Sequence, residues 1–260
     1  MPLDMEQLSM KTDDQQRDLP FSKLDLGVVC PMANERKNAE RFIKEVLAIC
    51  LRYPFKKVTF FPVLDLASQD GTLDLVRRIE QQIPEVRLIF APENRCVVDA
   101  YIRGYEAGVN SGCDWILEMD AGYSHQPCEV MGFFHAMTQG YDCVFGSRFC
   151  KGGEFSDTFM LRYMVSRGGT FLTNFLLGTN LTDMTGGFEL FTRNALKEIL
   201  SRGIRSRGPF FQAEIRAHAH AFRVTEVPIH YRSGNHPLDI RNFFDAFCGL
   251  WHLWRYRRTV

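Results

Sequence analysis

The chain's 260 residues, 45% hydrophobic, 24% charged and 13% aromatic, fit one large mixed domain and exclude a disordered, collagen-like or repeat-dominated polypeptide. Its 31 Lys and Arg balance 31 Asp and Glu, so the chain as a whole offers no electrostatic grip on nucleic acid. The 8 cysteines include no C-x-x-C pair, which removes a common zinc spacing and points to free thiols in a reducing cytoplasm. Neither an 18-residue apolar run nor a hydrophobic signal core occurs, so neither a membrane span nor an export signal is expected.

Residues 1–24 are polar and aperiodic and are expected to form a flexible leader. The apolar run 26–31 suits a buried strand. Asn34 offers a side-chain oxygen to cap the next helix, whose apolar face carries Ala39, Phe42, Ile43, Val46, Leu47 and Cys50. Residues 57–64 read as a second strand, and the turn at 68–72 leads into a helix with Leu73, Val76, Ile79 and Ile83 on one side. A strand at 86–91, a helix at 97–108, a strand at 115–119 and another at 142–147 follow. Strands alternating with helices imply βαβ units and a mostly parallel sheet. Ligands bind outside the C-terminal ends of such strands, so residues 31–35, 65–70 and 120–125 should line one edge. The second half is more helical, with strands expected at 188–191 and 223–231. No linker divides the chain, which reads as one domain over 25–238 followed by an amphipathic helix over 239–260.

Asp65 and Asp120, at strand ends, suit a polyphosphate ligand with a divalent cation between carboxylate and phosphate; a carboxylate so placed also serves as a cap or loop anchor. Around them, Val28-Val-Cys-Pro-Met-Ala-Asn-Glu35 resembles the V-V-x-P-T-Y-N-E opening of family 2 glycosyltransferases. Leu64-Asp-Leu-Ala-Ser-Gln-Asp-Gly-Thr72 is similar to V-D-D-G-S-x-D-G-T, and Glu118-Met-Asp-Ala-Gly-Tyr-Ser-His-Gln-Pro127 to M-D-A-D-L-S-H-x-P. Gly146-Ser-Arg-Phe149 with Gly152-Gly153, Ser166-Arg-Gly168, Thr182-Asp-Met-Thr-Gly-Gly-Phe188, Phe211-Gln-Ala-Glu214 and Glu226-Val-Pro-Ile229 complete the series. Their order and spacing resemble dolichol-phosphate mannose synthase and its bacterial polyprenyl-phosphate relatives.

That resemblance implies a GT-A fold, a Rossmann-like α/β architecture, and inverting transfer of a sugar from a nucleoside diphosphate to a polyprenyl phosphate. It places nucleotide-sugar contacts on Pro31, Ala33, Glu35, Val63, Asp65, Asp120, Ala121, Gly122, Arg232 and His236. Asp120 would be the metal ligand, for Mg²⁺ or Mn²⁺, and with Arg148 would carry catalysis; Arg148 and Arg167 would meet the acceptor phosphate. Arginine suits that task because its fork of donors matches phosphate oxygens and stays charged. Arg167 serves equally as a surface ion-pair partner, and Asp183 with Thr185-Gly186-Gly187 reads as turn chemistry. Glu214 and His218 have metal-like spacing but read as an ordinary helix pair.

Departures from the family pattern fall on the donor side. Its D-A-D becomes Asp120-Ala-Gly122, its T-Y-N-E aromatic becomes Ala33, and its D-D-G-S becomes Asp65-Leu-Ala-Ser68. With one carboxylate fewer, a hard cation would be held weakly or dispensed with. Two further readings therefore stand beside the first: a soluble glycosyltransferase acting on a small molecule or glycan, and a catalytically silent GT-A domain.

The last segment presents Ile240, Phe243, Phe244, Phe247, Leu250, Trp251 and Trp254 at three- and four-residue intervals, followed by Arg255, Arg257 and Arg258. Such a stripe serves as a packing face on the domain, as a contact within a homodimer, or as an interfacial helix at a membrane surface. The last would make a cytoplasmic protein peripheral on the cytoplasmic membrane face.

Overall fold

The apolar runs of the first half become adjacent strands of one sheet. The computed structural model describes residues 20–156, 160–232 and 240–259. In chain order the principal elements are β1 (Asp25–Pro31), α1 (Ala39–Cys50), β2 (Lys57–Leu64), α2 (Thr72–Gln82), β3 (Ile89–Phe90), α3 (Val97–Asn110) and β4 (Trp115–Glu118). They continue with α4 (Val130–Met137), β5 (Cys143–Ser147), β6 (Glu154–Ser156), α5 (Met160–Leu177), β7 (Glu189–Thr192), α6 (Arg193–Ser201) and α7 (Phe211–His218). The last are β8 (Val224–Pro228), β9 (His230–Arg232) and α8 (Ile240–Thr259).

The main sheet runs β3-β2-β1-β4-β7-β5-β8, and β6 pairs with β9 in a second, two-stranded sheet. β1 is parallel to β2 and β4, and β8 to β5; only β7 runs against its neighbours. The chain moves outward from β1 to β3 and returns on the other side of β1 to form β4, so the strand order reverses between β1 and β4. A crevice opens at such a reversal, outside the carboxyl ends of the two strands. Pro31 ends β1 and Asp120 lies two residues beyond β4, which brings both to that crevice.

Both faces of the sheet are covered. Val28 and Cys30 point into a core shared with Phe42, Phe133 and Phe134, and Val29 between them points into one shared with Tyr105, Leu196 and Ile215. Alternation along β1 therefore feeds two cores. Gly104 lets α3 lie close to the sheet, because a Cβ there would stand 2.2 Å from Val29 Cγ1. Cys113 and Cys143 are buried, while Cys128 is exposed.

Several sequence expectations change. Residues 20–23, expected to be part of a flexible leader, are ordered: Pro20–Lys23 forms a 3-10 turn, and the Phe21 ring is fully buried against Tyr53, Phe55 and Phe134. Burying one aromatic ring offsets the ordering of that short turn. Asn34 does not cap α1. It adopts a left-handed φ of 60°, and its side chain bridges Gln69 N–H and Ala67 O at 2.9 and 3.1 Å, so the helix opens later, at Ala39. The strand expected over 223–231 breaks at Ile229 into β8 and β9, in different sheets.

The apolar stripe of α8 divides. Leu250, with Leu253, is buried against Leu177, Phe210 and Ala213 from α5 and the start of α7, whereas Phe244, Phe247 and Trp251 are exposed. His236 and the loop expected around it lie outside the described residues. Among the described residues no helix is long and apolar enough to cross a membrane.

Candidate active site

The crevice is a cleft of about 530 Å³. Pro31, Ala33 and Glu35 after β1, Val63 and Asp65 at the end of β2, and Asp120 and Ala121 after β4 all line it. Seven of the residues expected at the donor site thus converge from three strand ends. Gly122 lies against Glu35 beside them. Asn94, Tyr101, Arg162 and Tyr231, which no sequence motif marks as site residues, also form part of its wall. Arg162 stands near the head of α5, and Tyr231 lies in β9.

Two hydrogen bonds hold Asp120. Its backbone N–H donates to His125 Nδ1 at 2.9 Å, and Tyr101 OH donates to its Oδ1. His125 Nε2 is 3.8 Å from the other carboxylate oxygen. Because Nδ1 accepts, Nε2 carries the ring proton. The imidazole is fully buried, stacked on Phe188 with 4.8 Å between centroids, and burial lowers its pKa. Asp65 Oδ1 accepts Ala67 N–H at 2.9 Å and its Oδ2 accepts Asn94 Nδ2 at 3.2 Å. That carboxylate anchors the loop after β2 as well as facing the cleft.

Glu35 sits at a tight entry to α1. Its N–H donates to Thr72 Oγ1 at 2.9 Å and its carbonyl accepts from Asn38 and Ala39. Partial burial raises its pKa above the ordinary carboxylate value, an effect opposed by the Asn38 side chain. Gly122 has φ of 72°, and a Cβ placed there would lie 2.6 Å from Glu35 Oε1. The Glu35 carboxylate thus fills the space a side chain at 122 would enter. Among the described residues no group of three or more His, Cys, Asp or Glu side chains is placed to hold a metal ion. The donor set nevertheless suits Mg²⁺ or Mn²⁺ in the manner of phosphate enzymes, where one or two carboxylates share the ion with substrate phosphates and water.

The expected acceptor-side arginines fall in different places. Arg148 is not part of the cleft lining. It is almost fully buried, donates to Asp183 from Nε and Nη2 at 2.7 and 2.8 Å and to Thr185 Oγ1 at 2.5 Å, and stacks on Phe155 and Tyr231. Arg167 is exposed, with its guanidinium 5.0 Å from the Phe149 ring centre. Arg232 is exposed at the end of β9, and its N–H donates to Ser124 O at 3.1 Å, tying that strand to the loop after Asp120. Glycine is required sterically at two motif positions: a Cβ at Gly153, against the Arg148 backbone, would meet Ser147 O at 2.4 Å, and one at Gly187 would meet Gln212 Nε2 at 2.7 Å.

A second buried network lies beneath the cleft. Arg216 donates to Glu189 Oε1 at 2.7 Å and to the carbonyls of Asp183 and Gly146. Glu118 accepts from Tyr105 OH and from Gln212 Nε2, and burial pushes its pKa well up. Glu214 accepts the backbone N–H groups of Arg205 and Ser206 at 2.9 to 3.1 Å, so it anchors a loop rather than forming a metal pair with His218.

Comparison with known proteins agrees with this geometry. The sequence model for glycosyl transferase family 2 matches residues 27–200, from β1 through α6. Polyprenol monophosphomannose synthase of Mycolicibacterium smegmatis is 30% identical over 205 residues, 78% of this chain and 75% of that protein. Undecaprenyl-phosphate mannosyltransferase of Micrococcus luteus is 34% identical over 169 residues, 64% and 69% of the two chains. Glucosyl-3-phosphoglycerate synthase from Mycobacterium tuberculosis, solved with Mn²⁺, UDP and phosphoglyceric acid, shares the fold with a TM-score of 0.66 over 89% of this chain and 78% of that one, at 16% identity. A GT-A sheet, a cleft at its strand-order reversal and a family match spanning that cleft converge on one conclusion: the chain belongs to glycosyl transferase family 2.

Proposed function

We propose that the chain transfers a sugar from a nucleoside-diphosphate sugar, bound in the cleft, to a polyprenyl phosphate presented at a membrane surface. The observation that carries this reading is the surface beside the cleft. Arg162, near the head of α5, lines the cleft, while Met160, Leu161, Met164, Phe171 and Phe175 of the same helix are at least 61% exposed. α5 packs on α8, where Phe244, Phe247 and Trp251 are at least 53% exposed. Large apolar side chains on two packed helices, with arginines among them, suit the interface of an anionic bilayer. A lipid-linked acceptor met there would have its phosphate close to the donor cleft. The two mannosyltransferase relatives are named for acceptors of that class.

The chemistry asks little of a general base. A phosphate monoester is already an anionic nucleophile: one of its oxygens attacks the anomeric carbon as the bond from that carbon to the diphosphate oxygen breaks. The new glycosyl phosphate forms with inversion, and the nucleoside diphosphate leaves. A bound divalent cation would supply charge neutralisation for that diphosphate. Asp120, fixed by Tyr101 and His125, orients the donor, and Arg162 with Arg232 holds phosphate oxygens. Arg148, already paired with Asp183, supports the Tyr231 wall; Arg167 faces the lipid side.

Calorimetry with GDP and UDP, followed by a competition between undecaprenyl phosphate and soluble sugars for the donor, tests the reading. Diphosphate binding and preference for the lipid phosphate are expected. Preferential glycosylation of a water-soluble acceptor would favour the soluble enzyme instead.

A further inference from the structure

The loop after β4 carries glycine where the family pattern has a second acid, and the structure explains why no side chain stands there. Gly122 is in the left-handed region, with φ of 72°, and its missing Cβ would fall 2.6 Å from Glu35 Oε1 and 3.2 Å from Oε2. Glu35 reaches this point from a rigid turn, fixed through Thr72 Oγ1 and the first N–H groups at the head of α1. Asn38 Nδ2 donates to Oε2 at 3.4 Å, and Oε1 is the atom nearest Gly122. A carboxylate is therefore present beside residue 122, delivered by a different strand end.

A second observation points the same way. His125 is fully buried and its Nε2, which bears the proton, has no hydrogen-bond partner. It faces Asp120 Oδ2 from 3.8 Å, beyond bonding distance. Buried donors of this kind are normally satisfied. An imidazole N–H waiting behind a cleft-facing carboxylate is the outer-shell arrangement that orients a metal-ligating carboxylate.

We propose that Glu35 supplies the second carboxylate of a divalent-cation site with Asp120, in place of the acid that Gly122 excludes. The site completes its coordination with oxygens of a nucleoside diphosphate and water. This rests on the donor-cleft reading above and adds to it a ligand set that differs from the two acids of the D-A-D pattern.

Mn²⁺ binding to the full chain, followed by the loss of free-ion electron paramagnetic resonance signal at saturating GDP or UDP, tests the assignment. Glu35→Gln should weaken Mn²⁺ by about 10-fold or more, whereas Glu40→Gln, on the exposed side of α1, should leave it unchanged. Gly122→Asp alone should not tighten binding, because its Cβ meets Glu35. The Glu35→Ala/Gly122→Asp pair should recover affinity to within about 3-fold of wild type, since Asp tolerates a left-handed backbone. Melting curves establish that each variant folds. Unchanged Mn²⁺ affinity in Glu35→Gln, or a tighter site in Gly122→Asp alone, would overturn the proposal. Nucleotide binding without any Mn²⁺ uptake would overturn the cation site and leave the glycosyltransferase reading standing. Absence of nucleotide binding would overturn both.

Discussion

Arg148 holds Asp183 through two parallel hydrogen bonds, Nε to Oδ2 at 2.7 Å and Nη2 to Oδ1 at 2.8 Å, with both side chains nearly or fully buried. Asp183 in turn accepts Thr185 N–H, and the backbone N–H groups of Thr182 and Asp183 donate to Glu226. Three sequence motifs separated by tens of residues are thus one polar network. Removing one partner of such a pair strands a buried charge, which costs far more than the pair's net contribution.

Asp183→Asn should therefore destabilise the fold by about 3–5 kcal/mol in guanidinium unfolding. A loss below about 1 kcal/mol would mean that Arg148 finds other partners. The Arg148 guanidinium holds the Asp183 carboxyl well below its ordinary value of 3.8. Its contribution is accordingly complete above that value and disappears as pH falls through and below it.

His218 makes an opposite kind of pH prediction. Burial, with Arg202, His220 and His252 nearby, pushes its pKa down from 6.5 to about 4. The unfolded chain then takes up a proton that the folded chain refuses, so stability is unaffected above 6.5 and falls between 6.5 and about 4. His218→Gln should show a shallower loss of stability across that interval, measured as the denaturation midpoint against pH. An identical slope in the variant would contradict the assignment.

Asp120→Asn should lower transfer by about 100-fold or more, because a group aimed at the reacting diphosphate is worth several kcal/mol. Its melting temperature should stay near that of wild type, since Asp120 is partly exposed at a strand end. Steady-state rates and thermal melts on one preparation check both. Turnover within about threefold of wild type would remove Asp120 from the mechanism.

Much of this arrangement was legible in the sequence, and the limits have physical causes. β1, β2, β4 and β5 announce themselves as apolar runs because both faces of the sheet are buried. Pro31, Glu35, Asp65 and Asp120 could be placed at one edge because parallel βαβ units put every strand's C-terminus on the same side. The partner of Arg148 could not be read, since Asp183 lies 35 residues away and meets it only in three dimensions. Arg162 escaped notice because nothing local marks it; its place in the cleft depends on where α5 begins. In α8 a periodic stripe announced burial without saying against what, and Leu250 and Phe244 turn out to have different fates.

The exposed faces of α5 and α8 should behave as one surface. Each large side chain removed from water contributes roughly 1.5–3 kcal/mol, so several acting together suffice for reversible membrane binding. Wild type should float with vesicles containing anionic lipid, and a Phe171→Glu/Phe247→Glu variant should remain at the bottom of the gradient. Equal flotation of the two would exclude this surface as the docking face.

The central claim is that a nucleotide-sugar cleft serves a lipid phosphate. Its most direct measurement is transfer of radiolabel from GDP- or UDP-linked hexoses into organic-extractable product, using anionic vesicles that carry undecaprenyl phosphate, with Asp120→Asn as the control. Label should enter the lipid phase with wild type and not with the variant. Label that enters only water-soluble acceptors, or lipid labelling that survives in Asp120→Asn, would contradict the account.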